Sequence, residues 1–132
     1  MQTELLHKDI TDLIIKAFYN VYNKLGYGFL EKVYENSMLI ELQDLGLECE
    51  RQKQIEVFYK NKNVGEYFAD LIVKDLIIIE LKAAENICQE HEAQLTNYLR
   101  ATNCEVGLLL NFGKTPQFKR KIFKNEFKNN QR

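Results

Sequence analysis

The stretch Ala69–Lys82, reading ADLIVKDLIIIELK, constrains the fold more than any other part of the chain. It holds two apolar runs, Leu71–Val73 and Leu76–Ile79, rich in β-branched residues and too short for helices. Such runs read as buried strands of a hairpin, with Lys74-Asp75 as the turn. Charges stand out against this background. Asp70 opens the first run, and Glu80 and Lys82 follow the second with Leu81 between them. Side chains alternate along a strand, so Glu80 and Lys82 share a face and Leu81 takes the other. Charge at the end of a buried strand needs a partner or a task, because its desolvation is costly. The hairpin brings Asp70 to the same rim. The ordinary alternative is a surface ion pair at a strand end.

The 132 residues are expected to form one domain with a single core. Hydrophobic residues make up 45% and charged residues 28%, the balance of a globular protein. No apolar run approaches the length of a membrane span, and MQTELLHKDI lacks the apolar core of a secretory signal. The expected location is the cytoplasm, away from membranes. Cys49, Cys88 and Cys104 are scattered and form no C-x-x-C pair, which points away from a disulfide framework or a zinc site. Net charge is −1, yet Lys114–Arg132 carries seven basic residues against Glu126 alone. Such a tail can grip phosphates. It can equally be a solvated terminus, and from about residue 124 we expect it to fray.

Ile10, Leu13, Ile14, Ala17, Phe18, Val21, Tyr22 and Leu25 repeat at helical spacing, which predicts a helix over about Asp9–Lys24, stopped by Gly26. After Gly26-Tyr27-Gly28, a second helix is predicted to present Leu30, Val33, Tyr34, Ser37, Met38, Glu41 and Leu42 on one face and to stop at Gly46. Glu31 in its first turn suits the helix dipole and can lean toward whatever lies beside the helix start. Leu47–Tyr59, Val64–Val73 and Leu76–Lys82 are predicted strands of an antiparallel meander. Asn86–Asn103 is predicted to be helical, with Ala93, Leu95, Tyr98, Leu99 and Thr102 inward and with His91, Gln94 and Tyr98 near one another. Val106–Asn111 then joins the sheet parallel to Leu76–Lys82, because a helix connects them. Phe118, Ile122 and Phe123 predict a short edge strand. The expected class is α/β (α+β): a mixed sheet of about four to five strands flanked by helices, in αβββαβ order.

An acid on one strand and an acid-x-lysine on the next resembles the core of the PD-(D/E)XK nucleases. The phrase Gly28-Phe-Leu-Glu31-Lys-Val-Tyr34 further resembles the pattern of the GxxExxY family. The resemblance continues through GEYFADLIV, IIIELKA, HEAQLTNYL and GLLLNFG, from about Asp9 to Phe123. It implies a restriction-endonuclease-like fold of the RecB-like branch. It also implies Asp70 and Glu80 as metal ligands, Lys82 as catalytic lysine, Glu31 as the helix carboxylate and Gln94 and Tyr98 as a Q-x-x-x-Y helix motif. Tyr22 stands where the family often has histidine, and Tyr27 where it often has proline.

A site of Glu31, Asp70 and Glu80 is a hard oxygen site suited to Mg²⁺, or Mn²⁺, with the Leu81 carbonyl as a further ligand. Lys82 can orient the attacking water or offset developing charge. Gln94 can bond a phosphate or a bound water. Tyr98 is either a site residue or a core aromatic, and His91 either a helix-face bonding group or a general acid. The function implied is a metal-dependent hydrolase of DNA phosphodiesters, alone, as a homodimer or with a partner protein. The alternative is a non-catalytic nucleic-acid- or protein-binding module that keeps the fold.

Overall fold

The computed structural model describes residues 6–128. Two helices come first, α1 (Lys8–Leu25) and α2 (Glu31–Asp44). Strands β1 (Cys49–Tyr59), β2 (Lys62–Val73) and β3 (Ile77–Lys82) follow, then α3 (Gln89–Arg100), β4 (Val106–Phe112) and β5 (Pro116–Ile122). The strands form one sheet in the order β1-β2-β3-β4-β5. All neighbours are antiparallel except β3 and β4, which the α3 crossover makes parallel. This is the mixed α+β sheet of the restriction-endonuclease-like fold.

The sheet is covered on both faces. Alternation along β3 sends Ile77, Ile79 and Leu81 toward α1 and α2, where Phe18, Tyr34, Met38 and Leu42 meet them. Ile78 and Leu109 face α3, packing with Leu95, Tyr98 and Leu99. Gly107 explains the close seating of α3: a Cβ there would stand 2.7 Å from Leu95 Cδ1. The turn after β2 is tight, with Leu76 N–H donating to Val73 C=O at 2.9 Å. It holds Lys74 and Asp75 both at positive φ, a demand of primed hairpin turns.

Three expectations need correction. The second helix does not bury the predicted face: Leu30 and Val33 are exposed, and the inward residues are Tyr34, Glu35, Met38 and Leu42. The i, i+4 row through Tyr34 meets the sheet, and β1 covers the flank carrying Glu35. The third helix is shorter than predicted, and Ala93 is exposed, because α3 lies on the sheet only through the Leu95–Leu99 side. In the tail, Lys124–Lys128 is docked: a 3₁₀ turn spans Asn125–Phe127, and Lys128 Nζ donates to the carbonyls of Thr102 (2.9 Å) and Cys104 (2.7 Å). The rest of the predicted fraying tail, residues 129–132, lies outside the described residues.

Candidate active site

The hairpin pairing of β2 with β3 covers only Leu71–Val73 against Ile77–Ile79. Beyond that point side chains replace the ladder. Asp70 N–H donates to Glu80 Oε2 at 2.8 Å, and Leu81 N–H donates to Asp70 Oδ2 at 2.8 Å. Each carboxylate thus holds the opposite strand, and the two are drawn together where the sheet opens. The other side of β2 is irregular at the same level. Gln52, opposite Asp70, drops out of the β1–β2 pairing with φ at +56°, a backbone state that a non-glycine residue adopts only when its surroundings compel it.

Electrostatics at this opening are severe. Glu80 is only 4% exposed, and desolvation pushes its pKa up to about 8, aided by the Asp70 charge and partly offset by Lys82. Burial also raises Asp70, against the lowering effect of the Leu81 N–H bond; Glu35 and Glu31 add to the rise. The Asp70 charge beside it makes Glu80 harder to ionise still. Lys82 Nζ makes a long 3.5 Å contact with Gln94 Oε1 on α3. Tyr98 lies one helical turn further on. Its hydroxyl is pushed up to about 12 by burial and by the charges of Glu80, Asp70 and Tyr67. Gln94 thus reaches the site through Lys82, whereas Tyr98 sits in the apolar core beside Leu95 and Leu99 and feels the acid pair through space.

Glu31 comes from the other layer. It is exposed in the first turn of α2 and acts on both Asp70 and Glu80 through space. Among the described residues no three His, Cys, Asp or Glu side chains gather closely enough to cage a metal. The expected three-carboxylate cluster is therefore a pair, Glu80 buried and Asp70 half-buried, with a third charge nearby. The reason lies in the layers: α2 packs on one face of the sheet, while Glu80 and Lys82 extend from the other. The pair still fits a hard divalent cation. Its charge is under-compensated, and Mg²⁺ is commonly held by one or two carboxylates with water filling the remaining positions.

The Gly28–Tyr34 phrase has a local explanation. Tyr34 is fully buried, its ring stacked on Phe112 at 4.1 Å. Its hydroxyl donates to Gly26 C=O at 2.7 Å and accepts from Phe29 N–H at 3.3 Å. That bond pair ties down the turn before α2, including Gly28 at φ +108°, and so fixes where Glu31 emerges. His91 serves helix capping: its Nδ1 accepts from Cys88 N–H at 3.4 Å. Tyr22 donates to the carbonyls of Gly113 (2.8 Å) and Lys114 (2.7 Å), bracing the β4–β5 turn.

Two residues escaped the sequence reading. Glu35 is only 5% exposed, accepts from Gln52 Nε2 (2.8 Å) and Lys32 Nζ (3.2 Å), and acts electrostatically on Asp70. Its spacing of four from Glu31 was a usable signal. Asn111 is fully buried; its side chain accepts from Ala84 N–H (2.9 Å) and donates to Ala84 C=O (3.0 Å). It pins the segment leaving Lys82. A lone amide closing the apolar run VGLLL was its signal.

A mixed sheet that opens at an acid on one strand and an acid-x-lysine on the next defines a nuclease-type architecture. The chain belongs to the PD-(D/E)XK nuclease superfamily, whose family model matches residues 8–123. Among solved structures it is similar to the crystal structure of SSO0001, with 19% identity and a TM-score of 0.55. That alignment covers 70% of this chain and spans 50% of the neighbour's length, and it speaks to the fold alone. No curated protein matches the sequence. Among the described residues no helix is long and apolar enough to cross a membrane.

Proposed function

We propose that the chain is a metal-dependent nuclease of the GxxExxY type, in the RecB-like branch, hydrolysing phosphodiester bonds of DNA. The observation that carries this reading is the sheet opening. There the Glu80 carboxylate accepts from Asp70 N–H and the Asp70 carboxylate from Leu81 N–H, burial pushes the Glu80 pKa up to about 8, and the Lys82 charge acts on both. A buried Glu80 beside a half-buried Asp70 is costly to ionise, and a bound dication would offset that cost.

Asp70 and Glu80 would hold Mg²⁺ or Mn²⁺, with the Leu81 carbonyl as a further donor and Glu31 adding charge from the start of α2. A bound dication supplies Lewis acidity toward a phosphate oxygen and a bound water of lowered pKa. The chain's own residues do the rest. Lys82 offsets negative charge that grows on the phosphate. Gln94 accepts from the Lys82 ammonium across 3.5 Å and would offer its two amide hydrogens to the substrate. The Tyr98 hydroxyl, a phenol that burial makes harder still to ionise, would serve as a hydrogen-bond donor.

A second reading, a nucleic-acid- or protein-binding module that keeps the nuclease fold, is favoured because among the described residues no third His, Cys, Asp or Glu gathers with the pair. Calorimetric titration with Mg²⁺ and Mn²⁺, on the wild type and on Glu80→Ala, separates the two. Binding to the wild type that Glu80→Ala abolishes, together with cleavage of DNA, supports the nuclease. Equal heats from both proteins refute it.

A further inference from the structure

Beside the acid pair, between α3 and the β1–β2 arm, lies a cleft of about 500 Å³. Val57 and Val64 wall it from the arm, and Ala93 and Ala101 from the helix. The Tyr67 ring, 47% exposed, also lines it, with its centroid 5.6 Å from that of Tyr98. Asn97 contributes a solvent-facing amide. The charged lining residues, Glu90 and Arg100, are opposite in sign. Gln94 and Tyr98 line the cleft and also connect it to the acid pair, Gln94 through Lys82 and Tyr98 through space.

Apolar walls, an exposed aromatic ring and two side-chain amides suit an occupant that is flat, largely neutral and edged with donors and acceptors, continuous with a phosphate at Asp70–Glu80. We propose that this cleft takes an unpaired nucleobase of the attacked strand, so that the substrate is single-stranded or frayed at the cleavage point. The inference rests on the nuclease reading for the origin of that strand. Tyr67, about half exposed in the cleft, offers an aromatic ring of the kind on which bases stack regardless of sequence. Asn97 and Gln94 carry the paired donors and acceptors that meet a base edge. A base inside a duplex is stacked on both sides and must leave the helix to enter such a cleft.

The test is fluorescence anisotropy with a labelled oligothymidine strand and with a blunt duplex, Ca²⁺ replacing Mg²⁺ so that binding is read without cleavage. Wild type should prefer the strand by at least about tenfold. Tyr67→Ala should weaken strand binding by about 5- to 100-fold and leave duplex binding unchanged, and Tyr67→Phe should restore it. Ala93→Trp, which fills the cleft from an exposed position, should weaken strand binding as much. The proposal is overturned if either Tyr67→Ala or Ala93→Trp binds the strand as wild type does, if strand and duplex bind equally, or if neither binds. Should strand binding depend on Tyr67 while no DNA is cut with Mg²⁺ or Mn²⁺, the base site stands and the nuclease reading fails. Should Tyr67→Ala cut and bind strands as wild type does, the nuclease reading stands and the base site fails.

Discussion

Glu80→Gln in the metal-free protein tests the electrostatics of the site directly. The glutamine imitates the protonated carboxyl: its carbonyl can still accept from Asp70 N–H, but it carries no charge. In the folded chain Glu80 gives up its proton near pH 8, against a value of 4.5 for an unperturbed carboxyl. Between those values the folded state holds a proton that the unfolded state has lost, so stability falls as pH rises through this window. The loss is complete only above about pH 8. At 1.36 kcal/mol per pH unit the interval amounts to about 5 kcal/mol, a large share of the ~5–15 kcal/mol that holds a domain together. Urea denaturation in chelator is the assay. Wild type and Glu80→Gln should be nearly equal in stability at pH 4.5, and the mutant should be more stable by several kcal/mol at pH 9. The gap should open with a slope approaching one proton. Saturating Mg²⁺ should close much of it by stabilising wild type alone; a ligand at 100 times its Kd contributes about 2.7 kcal/mol. A gap that does not change with pH refutes the burial argument for Glu80.

Lys82→Ala removes a charge that lowers the Glu80 pKa. The same pH titration should show its midpoint moved upward, with a less stable apo protein at pH 9 and some metal binding retained. Tyr34→Phe keeps the stack on Phe112 but strands Gly26 C=O and Phe29 N–H. We expect a loss of about 1–2 kcal/mol in urea, and a fall in DNA cleavage beyond what that loss explains, since the turn also fixes Glu31. Asn111→Ala leaves both backbone groups of Ala84 without the side-chain partner. It should cost about 1–3 kcal/mol per stranded group and speed amide exchange in the segment after Lys82.

Much of this was legible because it is local. The two apolar runs around Lys74-Asp75 could only be a hairpin, and period-2 alternation then placed Glu80 and Lys82 on one face without knowledge of any neighbour. Helical spacing likewise put Gln94 and Tyr98 on one side of α3, which is where Gln94 meets Lys82. What escaped depends on contacts between distant segments. Glu35 is buried because β1 passes over that flank of α2, where Gln52 can reach it; it stood outside the predicted face of Leu30, Val33, Tyr34, Ser37, Met38, Glu41 and Leu42. The inward face of α2 was misread for the same reason, since its pattern is only weakly amphipathic and the sheet decides which row faces in. Glu31 was predicted to join the acid pair because the sequence cannot tell that its helix lies on the opposite layer from α3.

The sheet opening also makes the site observable from the backbone. Asp70 N–H and Leu81 N–H are bound by carboxylates rather than by a neighbouring strand. Their bonds therefore strengthen or weaken with the charge on Glu80 and Asp70, whereas ordinary ladder amides are indifferent to it. In a nitrogen–proton correlation spectrum these two resonances should move with pH and with added cation while those of Ile78 and Leu109 stay still. The chain thus carries two built-in reporters, which register ionisation and metal arrival in the absence of any substrate and in variants too impaired to turn one over.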